Sequence, residues 1–408
     1  MMVSLVFGSD ATIEVVKKAE NTPSIAVEDA STMYDDQFKL RFFKALIADL
    51  NVLSIFNVDR HYRVSSFDAR EPLFDNKDMN YVLRYKSFLA DDGKLIVQTK
   101  LFRNQEEVFA KNYRVSTKDI YMFVSHAIAY DLNEFMGMPS ISWIKKKVIF
   151  SRVVAPKKSE IVIADYTLAY QYTILKDGFN LFPKWANKEQ NAFYFTTFDA
   201  KKPTLKYVDI RTGKLQKIID SDGMMICSDV SSDGKKLLLT MARKGQPDIY
   251  MYDVATKRYR RLTFYSGIDV NGQFMNGNRI AFISSRLGYP NVFSKRMDTN
   301  EVEQMVYYGR NNSACSAWGD YIVYKARESS NAFSQNTFNL HLISTKTDFI
   351  RRLTATGVNE FPRFSRDGDA ILFIKNYKQE SAIGIIRLHH NKNYLFPLKY
   401  GRVQSLDW

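Results

Sequence analysis

The sequence predicts a multi-domain chain: a small N-terminal mixed α/β domain, then an all-β, six-bladed β-propeller closed by the C-terminal strand. Three observations predict it. A strand motif returns about every 44 residues, a non-repeating segment with two helical stripes precedes it, and the last strand has no blade behind it.

The repeat carries the larger part. Phe361-Pro362-Arg363-Phe364-Ser365-Arg366-Asp367-Gly368 followed by Ala370–Ile374 reads as strand, Asp-Gly turn and strand. The same phrase recurs at Phe182–Trp185 before Ala192–Phe195, and at Asp229–Gly234 before Leu237–Thr240. It recurs again at Gln273-Phe274 before Ile280–Ser284, and at Ala317-Trp318 before Tyr321–Tyr324. The apolar anchors Trp185, Val230, Phe274, Trp318 and Phe364 are spaced 45, 44, 44 and 46 residues apart, and a further 44 reaches Trp408. A third strand ends in step at Asp165, Asp209, Asp253 and Asp298, with Ser344 as the fifth. A fourth reads Arg260-Arg261-Leu262-Thr263 and again Arg351-Arg352-Leu353-Thr354. Four strands per period make one propeller blade.

The ends of the repeat complete each other. Val148–Ser151 is a second strand without a first, and Val403–Trp408 is a first strand without a second. Joined, they make the sixth blade and remove the free edges of an open array. Trp408 is then a structural residue buried between blades. Cys227 and Cys315 each precede an anchor by three residues in blades that are not neighbours. That is too far for a disulfide, so both thiols are expected free and buried.

Residues 23–140 do not repeat. Ser24–Val27 reads as a strand, and Asp35–Leu50 as a helix with Phe43, Leu46, Ile47 and Leu50 on one face. Tyr81–Ser87, Lys94–Leu101 and Glu107–Val115 read as strands. A second helix, capped by Thr117, runs to Phe135 with Tyr121, Val124, Ile128, Leu132 and Phe135 inward, and ends at Pro139. Gly137–Ser142 is the hinge, and residues 141–408 form the propeller.

Two segments precede this domain. Residues 1–8, an apolar stub with Val6 and Gly8 where signal peptidase needs small residues, read as the remnant of a signal peptide. Residues 9–22 read as an arm in which Ile13, Val15 and Val16 alternate with Glu14 and Lys17; it adds to a partner's sheet or folds back as an edge strand.

Composition excludes several classes. The formal charge is +14, but Lys and Arg are scattered, with Lys145-Lys146-Lys147 the largest cluster, and no nucleic-acid module is present. No apolar run reaches the length of a membrane helix. There is no G-x-S-x-G elbow; Gly272 and Gly277 have P-loop spacing, but Asn278 stands at the lysine position. Of the five histidines none forms H-E-x-x-H, and the pair His389-His390 is expected on opposite faces of a strand. No enzyme, resident metal or cofactor is expected, although Asp269 or Glu360 in the channel are oxygen donors suited to Ca²⁺. A calcium-dependent, lactonase-like propeller hydrolase is the alternative; it needs an acidic cluster on inner strands that are mostly Asn, Ser and apolar. A propeller adaptor of another system is a third reading.

Stub, arm, α/β domain, blades written aromatic-Ser-x-Asp-Gly with a downstream Arg-Arg-Leu-Thr, and a final Trp: in this order the chain resembles the TolB family of the Tol-Pal system. The turns after Trp185 and Trp318 depart from the family phrase. The resemblance implies a non-enzymatic periplasmic scaffold that supports outer-membrane integrity and cell division, a monomer that does not span the membrane. It implies that the lipoprotein Pal binds at the propeller channel mouth and TolA engages the arm. Carried onto this chain, the arm is Thr12, Ile13, Glu14, Val15, Val16, Lys17 and Lys18. The mouth comprises Phe179, Asn180, Met225, Ile226, Asp269, Val270, Asn271, Asn311, Asn312, Asn359, Glu360 and Arg402.

Overall fold

In the computed structural model the described residues are 22–33, 35–72, 79–243, 245–328, 337–347, 349–377 and 380–408. The stub 1–8 and the arm residues Thr12–Lys18 lie outside them.

The strand Ser24–Asp29 lies between two parallel neighbours, Asn57–Val58 and Tyr81–Leu89. Parallel pairing requires a crossover, which helix α1 (Asp36–Leu53) supplies. The sheet continues antiparallel through Leu95–Arg103 to Glu106–Val115 at its edge. Helix α1 starts where the Asp35 carboxylate accepts the Phe38 N–H at 2.9 Å. Its buried face holds Phe43, Leu46, Ile47 and Leu50, the stripe visible in the sequence, together with Phe38 and Phe42.

Helix α2 (Tyr121–Phe135) ends at Phe135 as expected but starts later than expected. Thr117 makes no side-chain cap, because a 3-10 turn at Lys118–Ile120 intervenes. The chain leaves the helix at Gly137, φ +66°, before Pro139 is reached; glycine takes the left-handed conformation that lets a helix end turn away. Phe135 is 41% exposed, since it leans on Phe109 of the edge strand with solvent on its other side.

From Val148 onward, antiparallel strands form β-propeller-like sheets. The innermost strands are Asn180–Trp185, Met225–Val230, Asp269–Met275, Arg310–Trp318 and Val358–Phe364. The last strand, Arg402–Asp407, pairs antiparallel with Val148–Ala155 and heads the sheet that continues through Lys158–Ala164 to Gln171–Leu175. Consecutive innermost strands pack side by side, and Arg402–Asp407 touches both Val358–Phe364 and Asn180–Trp185. Trp408 is 7% exposed and packs on Trp143 at 5.4 Å between ring centres.

Each innermost strand carries a register shift near its middle. At these bulges Phe182 (φ 55°) and Phe361 (φ 49°) adopt left-handed backbone, costly for a bulky residue unless the surroundings hold it. The freed Phe182 N–H donates to Ser405 Oγ at 3.0 Å, and its ring lies 6.3 Å from that of Phe361.

Cys227 and Cys315 are free and buried. His389 and His390 sit in the turn after Glu380–Arg387, not on a strand, because Arg387 pairs with Lys392 and residues 388–391 close the hairpin.

Candidate functional site

Residues near the middle of the innermost strands line one cavity, and residues at their last positions line a second. The residues expected to form the partner-binding rim stand at or beside the first positions of these strands, and they divide into two groups.

One group faces inward. Asn180 Nδ2 donates to Asp177 O at 2.7 Å, while its N–H donates to Ser159 Oγ at 2.8 Å. Asn312 Nδ2 reaches Tyr308 O and Asn291 Oδ1, both at 3.0 Å. Asn359 Nδ2 reaches Phe338 O at 2.9 Å and Thr356 O at 3.1 Å. Asp269 is fully buried and pairs with Arg286 at 3.3 Å; Met225 is fully buried in apolar surroundings. These side chains tie inter-strand loops to the sheets, so a partner does not reach them without displacing the loops. The other group is open to solvent or to the channel. Phe179 is half-buried against Phe198, Arg402 is exposed, and Ile226, Val270 and Asn271 line an apolar cavity of about 220 Å³ at the channel waist. Asn311 is half-buried, and Glu360 pairs with Lys325 at 2.9 Å.

The two carboxylates suited to Ca²⁺ thus each face a cation instead of converging. Among the described residues no group of three or more His, Cys, Asp or Glu side chains is placed to hold a metal ion. The acidic cage that a calcium-dependent hydrolase needs is not formed by Asp269 and Glu360.

The loops around these strand starts carry what the sequence reading missed. Phe264 (62% exposed) and Ile268 precede Asp269; Tyr307 and Tyr308, 72% and 71% exposed, precede Arg310. Leu287, in the neighbouring hairpin loop, is exposed as well. Single exposed apolar side chains are ordinary, but several on adjacent loops of one face make a patch of the kind partners cover. The signal available in the sequence was the Tyr307-Tyr308 pair directly before a strand start, where polar turn residues are usual.

A second constellation joins the domains. His126 on α2 is fully buried, with Nδ1 2.9 Å from Asp49 of α1 and Nε2 3.3 Å from Asp165 of the propeller. Ser125 and the propeller's Tyr166 both donate their hydroxyls to Asp49. Burial pulls the imidazole pKa down, but Asp49 and Asp165 outweigh it and raise the value to about 9. The bridging group is therefore an imidazolium between two carboxylates. Beside it, Arg387 Nη1 donates to Val52 O and Leu53 O at 3.0 Å each, capping the C-terminus of α1 from the propeller side. Apolar residues of both domains, among them Phe38, Leu50, Trp143, Phe150 and Ile385, belong to one continuous core.

This architecture has relatives. The sequence profile described as TolB beta propeller domain matches residues 140–408. The Tol-Pal system protein TolB of Wolinella succinogenes is 50% identical over 414 residues, covering 100% of this chain and 98% of that protein. The chain belongs to the TolB family. The TolB of Campylobacter jejuni is 41% identical over 404 residues, covering 98% of this chain and 96% of its own length. The crystal structure of TolB from Acinetobacter baumannii superposes with a TM-score of 0.75 over 94% of this chain and 96% of that one, at 19% identity, which speaks to the fold alone. TolB is a non-enzymatic component of the Tol-Pal system, and this member carries the N-terminal α/β domain together with the propeller. No helix among the described residues is long and apolar enough to cross a membrane.

Proposed function

We propose that this TolB is a periplasmic scaffold of the Tol-Pal envelope complex that supports outer-membrane integrity and cell division. It binds the lipoprotein Pal at the channel mouth by the starts of the innermost strands and TolA through the arm at residues 9–22. The propeller is a ring of six blades, with Arg402–Asp407 as the innermost strand of the blade begun at Val148. Support for the ring comes from the packing of that strand on both of its innermost neighbours. The domain limits are those of the sequence, 23–140 and 141–408.

The observation that carries the Pal reading is the exposed apolar patch of Phe264, Ile268, Leu287, Tyr307 and Tyr308 beside an apolar waist cavity. Exposed aromatic side chains at a concave mouth are the usual anchors of a protein interface. Of the rim residues, Phe179, Ile226, Val270, Asn271, Asn311, Glu360 and Arg402 contact the partner, while the five inward ones position the loops. If Pal at the mouth biases the arm between docked and released states, release of the arm must alter Pal affinity by the same factor.

The test uses the full chain and purified Pal and TolA domains in separate binding titrations. Tyr307→Ala with Tyr308→Ala weakens Pal binding at least about tenfold and leaves TolA binding unchanged. Deleting residues 9–22 does the reverse for TolA. Unaltered Pal affinity in the tyrosine variant moves the site elsewhere, and no Pal binding by the parent chain removes the proposal.

A further inference from the structure

The second channel mouth, opposite the apolar patch, opens on a cavity of about 770 Å³. Lys184, Asp229, Gln273, Arg363, Asp407 and Trp318 are among the residues that line it.

The cations and carboxylates that line this cavity are not paired one to one. Asp407 accepts Lys184 Nζ at 2.7 Å and the Trp185 N–H at 3.0 Å. Asp229 accepts the Phe274 N–H at 2.9 Å and lies 3.5 Å from the same Lys184. Both carboxylates are thus engaged by one lysine and by backbone. Arg363, only 9% exposed, has a neutral partner: its Nη1 donates to Gln273 Oε1 at 2.8 Å, and its Nε finds no acceptor among the described residues. A buried guanidinium with an unmet N–H is costly, and a carboxylate is the acceptor whose two oxygens match its planar fork. Lining the same cavity, Trp318 is 39% exposed, yet held in place by its Nε1 donating to Arg366 O at 3.0 Å. A fixed indole and a buried cation in one cavity suit a ligand with one apolar and one anionic end.

We propose that this second mouth binds a carboxylate-bearing ligand with an aromatic or other apolar body, the carboxylate on Arg363 and the body against Trp318. The body of the ligand lies at the opposite ends of the innermost strands from the proposed Pal surface, and Arg363 stands between the two, since it also lines the waist cavity.

The experiment is calorimetric titration of the full chain with N-acetyl-L-phenylalanine, a carboxylate, and with its uncharged amide. The acid binds at least about tenfold more tightly than the amide, as expected for a charge-assisted pair at a buried arginine. Arg363→Gln removes the preference, and Trp318→Ala weakens the acid. Equal binding of acid and amide, no binding of either at millimolar concentration, or an acid preference that survives in Arg363→Gln overturns the assignment. So does weakening by Ile226→Ala without weakening by Trp318→Ala, which puts the ligand in the waist cavity. Should Arg363→Gln lose its cooperative melt, the acid–amide comparison on the parent chain and on Trp318→Ala decides.

Discussion

The carboxylate of Asp407 accepts the backbone N–H of Trp185 at 3.0 Å, joining residues 222 apart in sequence. The same device recurs between neighbouring innermost strands, where Asp229 accepts the Phe274 N–H at 2.9 Å and Ser316 Oγ accepts the Phe364 N–H at 3.1 Å. The C-terminal strand is thereby latched to the strand at Asn180–Trp185 as those strands are latched to each other. Asp407 also neutralises Lys184, whose side chain is 9% exposed. Asp407→Ala strands that cation with only Asp229 at 3.5 Å and removes a buried acceptor, at a cost of about 3 kcal/mol. Asp407→Asn keeps an acceptor and loses less. Urea unfolding of the three proteins measures both; equal midpoints for parent and Asp407→Ala would refute the latch.

The imidazolium at the domain junction makes stability depend on alkaline pH. His126 titrates at about 9 when folded and near its ordinary value of about 6.5 when unfolded. A raised folded pKa contributes stability that is complete below about pH 6.5 and is lost as pH rises through about 9. The contribution is on the order of 3 kcal/mol. His126→Gln therefore lies well below the parent in unfolding free energy at pH 6, and the gap narrows towards pH 9.5. The groups facing His126 are Asp49, Ser125, Asp165 and Tyr166, and Tyr166 stays protonated across this range because burial and Asp49 push its pKa far up. A gap that is flat with pH would show that His126 acts by packing alone.

Two glycines with the same backbone conformation should respond differently to alanine. Gly93 and Gly368 both have φ +75°, yet a Cβ at Gly93 meets open space, whereas one at Gly368 comes 2.5 Å from the Trp318 ring. Gly93→Ala costs about 1 kcal/mol from the left-handed backbone alone. Gly368→Ala adds the displacement of Trp318 and costs about 2–3 kcal/mol, with a change in tryptophan fluorescence. Equal melting shifts without a fluorescence change would remove the contact.

Both thiols should be inert. Burial pushes Cys227 and Cys315 up to about 12, so neither holds a thiolate near neutral pH. A thiol reagent modifies neither in the native protein and both in guanidinium. A native reaction on the minute timescale would mean that the strands at Met225–Val230 and Arg310–Trp318 open readily.

The blades were legible because each anchor, from Trp185 to Trp408, is apolar and recurs at nearly constant spacing, which only a repeated sheet satisfies. The strand starts were legible, and the roles of the residues at them were not. Asn180, Asn312 and Asn359 lie at strand starts, but an amide there serves a loop carbonyl as readily as a partner, and sequence does not distinguish the two. Phe264, Tyr307 and Tyr308 were missed because aromatic side chains beside strands read as core. The His126 junction was hidden for a different reason. Its partners Asp49 and Asp165 lie 77 and 39 residues away in separate domains, and no local pattern joins them. The trace it leaves is a histidine on the apolar face of α2 and an aspartate beside Leu46 and Leu50 on that of α1, two polar residues where burial demands that each find the other.

The strand Ser24–Asp29 is the first element after the arm, and it is held between parallel neighbours on both edges. A pull along the arm would therefore load that strand lengthwise. Its cross-strand bonds to Tyr81–Leu89, and those to Asn57–Val58, would share the force at once instead of opening one after another as in a hairpin peeled from its end. Asp29 is anchored further by its backbone bonds to Arg63 and Ser65, so the far end of the strand is fixed to the domain as firmly as its edges.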